Sequence, residues 1–148
     1  MAHIRQQIRE AVYAILDPLP RTSGNCHLMR TYPTDGDRSP SLLVYVLRER
    51  SELSGMGGED RTMSRFLDVT IEAQARGRDF DDKLDDIAVD VEKAMFSNRF
   101  FGGLARNSQL VETVLDLGSD RDHRRSGVLI MRYQIETDGP EANPENTD

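Results

Sequence analysis

Apolar positions between Thr62 and Ser97 change period partway along, and the rest of the chain is best read around that change. Met63, Leu67, Val69, Ile71 and Ala73 fall on one side of an alternating run, with Ser64, Asp68, Thr70, Glu72 and Gln74 on the other. Phe80, Leu84, Ile87, Val91 and Met95 then recur at helical spacing, with charges filling the far side. Gly77 breaks the strand, Asp79 is placed as an N-cap, and Asp82 favours the positive end of the helix. A helix lying across a one-sided sheet buries both stripes together.

Upstream, Ile4, Ile8, Ala11, Val12 and Ile15 form the stripe of a helix over His3 to Leu16, closed by Pro18 and Pro20. A turn over Arg21 to Asn25 leads to a short strand, Cys26 to Tyr32, interrupted by Pro33. Ser41 to Arg50 is a stronger strand. Its unbroken apolar run, Leu42 to Leu47, predicts cover on both faces or a place at a subunit boundary. Ser51 to Arg61, with Gly55, Gly57 and Gly58, exceeds the usual hairpin link and predicts a flexible loop.

Downstream, Asn98 to Asn107 reads as an irregular segment packed through Phe100, Phe101 and Leu104. Leu110 to Leu117 is a strand with Val111, Leu115 and Leu117 on one side, and Gly118 to Arg125 is a charged turn. Val128 to Glu136 completes the sheet, with Leu129, Met131, Tyr133 and Ile135 facing one way. The order predicts an α/β fold of the α+β kind: a mainly antiparallel four- to five-stranded sheet with two helices packed on one face. Residues 1–137 form the expected single domain. Residues 138–148, with acids but no basic residue, read as a disordered acidic tail.

At 148 residues the chain suits one core, and 37% hydrophobic with 6% aromatic residues suits a two-layer domain. A formal charge of −7, from 26 acids and 19 basic residues, argues against general binding of phosphate backbones. Cys26 is the single cysteine, which excludes an internal disulfide. The opening lacks a signal-peptide core, and no apolar run approaches the ~20 residues that span a bilayer. A soluble chain, cytoplasmic during synthesis, is expected.

Tests for site chemistry are negative in turn. Cys26 and His27 are adjacent and point to opposite faces, while His3 and His123 are distant, so zinc spacing is missing. Gly55-Met56-Gly57-Gly58 lacks the Lys and Ser/Thr of a phosphate loop and joins two strands. Ser119, Asp122 and His123 supply the residue types of a hydrolytic site without a nucleophile elbow. Asp79, Asp81, Asp82, Asp85 and Asp86 read as helix-coating acids before they read as a cation site. No catalytic, cofactor-binding or metal residue is assigned, and a non-enzymatic role is expected. Arg48, Arg50, Arg121, Arg124 and Arg125 could meet acidic surfaces of a neighbouring subunit or DNA phosphates. Those in the final turn could equally be solvent-facing and neutralised by Asp120 and Asp122.

The order of these segments carries a resemblance. The helix around Ile8-Arg9-Glu10-Ala11-Val12 leads to Leu43-Val44-Tyr45-Val46-Leu47 and to the Gly/acid-rich Ser54 to Asp60. Then come Arg65-Phe66-Leu67-Asp68-Val69-Thr70-Ile71-Glu72, the helix Asp81-Asp82-Lys83-Leu84-Asp85-Asp86-Ile87-Ala88, and Leu129-Ile130-Met131-Arg132-Tyr133-Gln134-Ile135. Taken together, about Ile4 to Glu136 resembles the tail terminator proteins of long-tailed bacteriophages, the lambda-like minor tail protein U family. The compact Asp120 to Ser126 turn and the acidic tail depart from that pattern.

The resemblance implies a structural protein of the virion tail. It forms a hexameric ring on the last ring of the tail tube, stops polymerisation of the tube protein, and presents the head–tail joining surface to a connector protein. Genomic DNA passes through the channel without sequence-specific binding, and neither membrane nor cofactor takes part. The place implied is the tail–neck junction, after assembly in the host cytoplasm. Contact residues are chosen by position in the pattern, not by the resemblance. Leu43, Tyr45, Leu47, Arg48 and Arg50 are expected at subunit contacts, and Met56, Glu59, Asp60 and Arg61 on a loop that meets tube or connector. Salt bridges from Arg48, Arg50, Arg124 or Arg125 are expected to orient subunits, with Arg121 a further contact in the same turn. The alternative is a related neck, tail-completion or minor tail ring protein. A small enzyme or nucleic-acid-binding module, from a different class, needs a closed polar pocket or a continuous basic face.

Overall fold

A computed structural model describes residues 2–22, 25–28, 40–55, 61–119 and 125–147; the side chains of residues 118, 119 and 125 lie outside the description. Helix α1 (Ile4–Leu16) is followed by a 3-10 turn (Pro20–Thr22), β1 (Cys26–Leu28), β2 (Ser41–Leu53) and β3 (Thr62–Arg76). Helix α2 (Phe80–Ser97), a second turn (Phe101–Gly103), β4 (Asn107–Ser119) and β5 (Arg125–Pro140) complete the order.

The five strands form one mixed sheet in the order β1-β2-β3-β5-β4. The short β1–β2 pair is parallel, and β2–β3, β3–β5 and β5–β4 are antiparallel. Helix α1 packs on β1 and β2, α2 packs on β3 and β5, and the helices touch each other, so both cover the same face. The α+β class expected from the periodicities is the one found.

Local chemistry accounts for the helices. Ile4, Ile8, Val12 and Leu16 recur every fourth residue and are all buried. His3 caps α1: its Nδ1 accepts the Arg5 N–H at 3.0 Å. Leu84, Ile87, Val91 and Met95 are the buried stripe of α2. Asp79 occupies the N-cap position, but its side chain makes no capping hydrogen bond. It lies 3.4 Å from Lys83 Nζ instead. Between the layers, Leu67, Val69, Ile71, Ala73 and Ala75 of β3 and Leu129, Met131, Tyr133 and Ile135 of β5 are buried.

Three expectations need correction. The apolar run of β2 is not covered on both sides: Leu42, Val44 and Val46 are buried under α1, Leu43 and Tyr45 are half-buried, and Leu47 is 77% exposed. The loop expected from Ser51 begins later, because Ser51, Glu52 and Leu53 pair with Arg65, Ser64 and Met63. Ser54 N–H then bonds Thr62 O at 2.9 Å.

The disordered tail expected after Thr137 is the third. Asp138, Gly139 and Pro140 continue β5 opposite Ser64, Met63 and Thr62. Residues 141–147 fold back on the start of α1. Pro144 O accepts the Ile4 N–H at 2.8 Å, and Glu145 O accepts the Gln7 side-chain amide at 2.8 Å. Helix N-termini leave N–H groups without intrahelical partners, and this segment supplies acceptors. Composition, which suggested disorder, carries no information about such backbone pairing.

Candidate functional site

Two β-bulges shape the surfaces on which the residues expected at contacts stand. In β2, Val46 pairs with Val69 and Arg48 with Asp68, leaving Leu47 as an extra residue. Side chains alternate between faces along a strand, so one inserted residue exchanges inner for outer positions beyond it. Glu49, opposite Leu67, therefore turns toward the helix layer. There Arg5 Nη2 lies 2.9 Å and Arg65 Nη1 3.3 Å from its carboxylate.

Arg48 and Arg50 take the opposite, open face. They border a cleft of about 520 Å³ with Glu49, Phe66, Asp68 and Gln134. The Arg50 guanidinium stacks 4.8 Å from the Phe66 ring centroid, and its Nε lies 3.6 Å from Glu52. Tyr45 donates its hydroxyl to Glu72 on the same face. Burial first, then that carboxylate, pushes its phenol up to about 12.

The second bulge is in β4. Leu110 pairs with Tyr133 and Glu112 with Arg132, leaving Val111 extra. Val111 therefore does not share a simple alternating face with Leu115 and Leu117, which corrects the pattern expected for that strand. Thr113, Leu115 and Leu117, opposite Met131, Leu129 and Gly127, lie on the helix side. Yet α2 covers mainly β3 and β5, and Leu115 and Leu117 remain exposed, Leu117 by 66%. Glu112, Val114 and Asp116 lie on the open face, with Glu112 held at 2.9 Å by Arg132.

Helix α2 carries exposed apolar residues as well. Arg21 ties Asp86 and Asp90 to the α1 side at 3.3 and 2.8 Å. On a helix of 3.6 residues per turn, Val89 and Phe96 lie away from the buried stripe and on the other side from those acids. Both are exposed, Phe96 by 68%, as is Phe100. The Arg99 guanidinium lies 4.6 Å from the centroids of both the Phe96 and Phe100 rings.

The β2 residues expected at subunit contacts thus lie along one strand, next to the sheet edge and paired with β1 only at Leu43 among them. Leu43, Tyr45, Arg48 and Arg50 share its open face, and Leu47 projects at the bulge. Arg61 is used within the chain: its Nε lies 2.6 Å from Glu141, and its carbonyl accepts the Glu141 N–H at 2.9 Å. Met56, Glu59, Asp60, Arg121 and Arg124 lie outside the described residues, as does the side chain of Arg125. Sequence reasoning missed the exposed apolar residues of β4 and α2: Val114, Leu115 and Leu117 on the strand, and Val89 and Phe96 on the helix. The available signal was the excess of large apolar residues in a strand that ends its own alternation in solvent.

Among the described residues, no group of three or more His, Cys, Asp or Glu is placed to hold a metal ion. Cys26 is buried, and burial, with the nearby Asp17 charge, pushes its thiol up to about 12. No helix among the described residues is long and apolar enough to cross a membrane. Toward the two sides of the sheet, β2 and the edge strand β4 both carry apolar side chains that stand in solvent, Leu47 and Leu53 on one and Leu115 and Leu117 on the other. Scans against models of protein families and a search of curated proteins give no match to this chain.

Proposed function

We propose that this protein is a tail terminator of a long-tailed bacteriophage, assembling as a ring that caps the tail tube. In that role it halts addition of tube protein and offers the surface to which the head connector docks. The observation that carries the proposal is the distribution of exposed large hydrophobics. Leu47 and Leu53 stand on β2, Leu115 and Leu117 on the helix side of β4, Val111 at its bulge and Val114 on its open face, and Val89 and Phe96 on α2. Contiguous exposed apolar surface is a mark of association, and a long unprotected edge strand is a hazard to a free monomer. Unlike surfaces on opposite sides of a subunit suit head-to-tail contacts, which close into rings. The acidic balance of the chain suits a channel that DNA crosses without adhering.

Native mass spectrometry and negative-stain imaging of the full chain, alone and with polymerising tail tube, test the proposal. The expected result is a six-membered ring with an open centre and tubes whose growth stops when the protein is added. A chain that stays monomeric in both settings and leaves tube length unchanged would falsify it.

A further inference from the structure

We infer that the β4 edge of one copy receives the half of β2 that no described strand covers on its outer side, Tyr45 to Leu53, from the next copy, so that the sheet continues from subunit to subunit. This pairing rests on the ring reading above and adds to it which two surfaces meet. Both are open among the described residues: β1 covers β2 only over Leu42 to Val44, and β4 pairs only with β5.

Charge selects the partner. The open face of β4 carries Glu112 and Asp116, and the strand contains no basic residue. The same half of β2 carries Arg48, Arg50 and Glu52 on that same open face, with Glu52 3.6 Å from Arg50, which leaves Arg48 as the cation there without an ion pair among the described residues. If β4 instead paired with β4 of a second copy, antiparallel about Val114, Glu112 and Asp116 would stand opposite each other twice. Like charges directly opposite across a ladder are unfavourable, and opposite charges favourable. A two-fold β4–β4 dimer is therefore disfavoured, and a β4–β2 contact is favoured.

Direction and facing agree with this choice. Three antiparallel steps separate β2 from β4, so the two strands run in opposite senses within one subunit. A head-to-tail repeat that keeps the helix layer on one side then brings β4 and the next β2 together as an antiparallel pair. Arg48 and Arg50 come to the face of Glu112 and Asp116. Leu53, exposed on the helix side, comes to the side of Leu115 and Leu117. The contact is heterologous, as ring closure requires.

Two variants of the full chain test it by mixing. Leu47→Glu/Arg48→Glu spoils the β2 surface, and Leu115→Glu/Leu117→Glu spoils the β4 surface. Both sets of positions are exposed, and each variant is accepted only if its circular dichroism and thermal midpoint match the parent. If either fails that control, Arg48→Ala and Leu117→Ser replace it. By native mass, each variant alone is expected to lose the ring and run as a monomer. A one-to-one mixture is expected to give a dimer containing one copy of each, and no ring. Survival of any assembly of the β2 variant by itself, or a mixture that stays monomeric, overturns the pairing while a parent ring leaves the terminator reading standing. A parent chain that never assembles, even with tube, overturns both.

Discussion

Arg5, in the first turn of α1, donates a guanidinium hydrogen bond to Glu49 of β2 at 2.9 Å. The contact exists because Leu47 is an extra residue in its strand. Without the bulge, Arg48 would stand opposite Leu67 under the helix layer, and Glu49 would turn to the open face with Phe66. Instead Glu49 joins two cations, Arg5 from the helix and Arg65 from the neighbouring strand, while Arg48 is released to the surface. One inserted residue thus both pins the start of α1 and builds the basic outer edge.

Glu49→Ala should therefore destabilise the subunit by about 2 kcal/mol. That lies between the small worth of an exposed pair and the larger cost of leaving a buried charge uncompensated. Arg65 is mostly buried and Arg5 more open, which sets the intermediate figure. Urea unfolding measures it, and a change under about 0.5 kcal/mol, the size of an ordinary surface substitution, sinks the claim. Arg48→Ala should change stability far less, because its side chain stands on the surface.

Close packing at Gly127 makes a second prediction. A Cβ built there would lie 2.7 Å from two Phe80 ring atoms and 3.1 Å from Leu84 Cδ1. The first turn of α2 rests directly on the β5 backbone at that point. Gly127→Val should destabilise by about 1–3 kcal/mol through overpacking. Trimming Phe80 to Ala in the same chain should recover part of the loss. Additive losses in that double variant would show that Phe80 is not the obstruction.

The helices and the middle of the sheet are legible in the sequence because their periodicities are uninterrupted. Ile4, Ile8, Val12 and Leu16 keep a helical spacing throughout, and Leu129 to Ile135 keep a strict alternation. The outer strands are less legible for a physical reason. A bulge at Leu47 or Val111 changes which residues share a face, yet no residue type marks it in advance. The unbroken run Leu42 to Leu47 reads as cover on both faces or a place at a subunit boundary; the first is not met, because its last member is an outward-standing bulge. The C-terminal segment was illegible because its order comes from backbone acceptors offered to α1, which acidic composition does not reveal.

Cys26 should be a probe of opening and not of surface chemistry. Its thiol is buried on β1 under α1, and burial raises it to about 12, so very little thiolate forms near neutrality. Alkylation by iodoacetamide at about pH 8 should run at least about a hundred-fold slower than for a free thiol. It should accelerate in parallel with unfolding as urea rises. Rapid labelling of the folded chain would mean that β1 opens locally.

The cap of α1 makes stability depend on pH. His3 must be neutral at Nδ1 to accept the Arg5 N–H that caps α1. Burial, then the charges of Arg5 and Arg65, lower its pKa below the ordinary 6.5, while Glu49 and Glu145 oppose that shift. A base whose folded pKa lies below its unfolded value binds fewer protons in the folded state. Its contribution is therefore complete above 6.5 and declines as pH falls from 6.5 through the folded value. Protonation removes the acceptor and places a positive charge at the positive end of the helix, and the cap itself is worth about 1 kcal/mol. His3→Asn keeps a capping oxygen and removes the titration. Between about pH 7.5 and about pH 5 the parent should lose thermal stability relative to His3→Asn, with the gap opening below 6.5. Carboxylates titrating in the same range are common to both chains and cancel in the comparison. Parallel pH profiles for the two proteins would show that His3 is not a titrating cap.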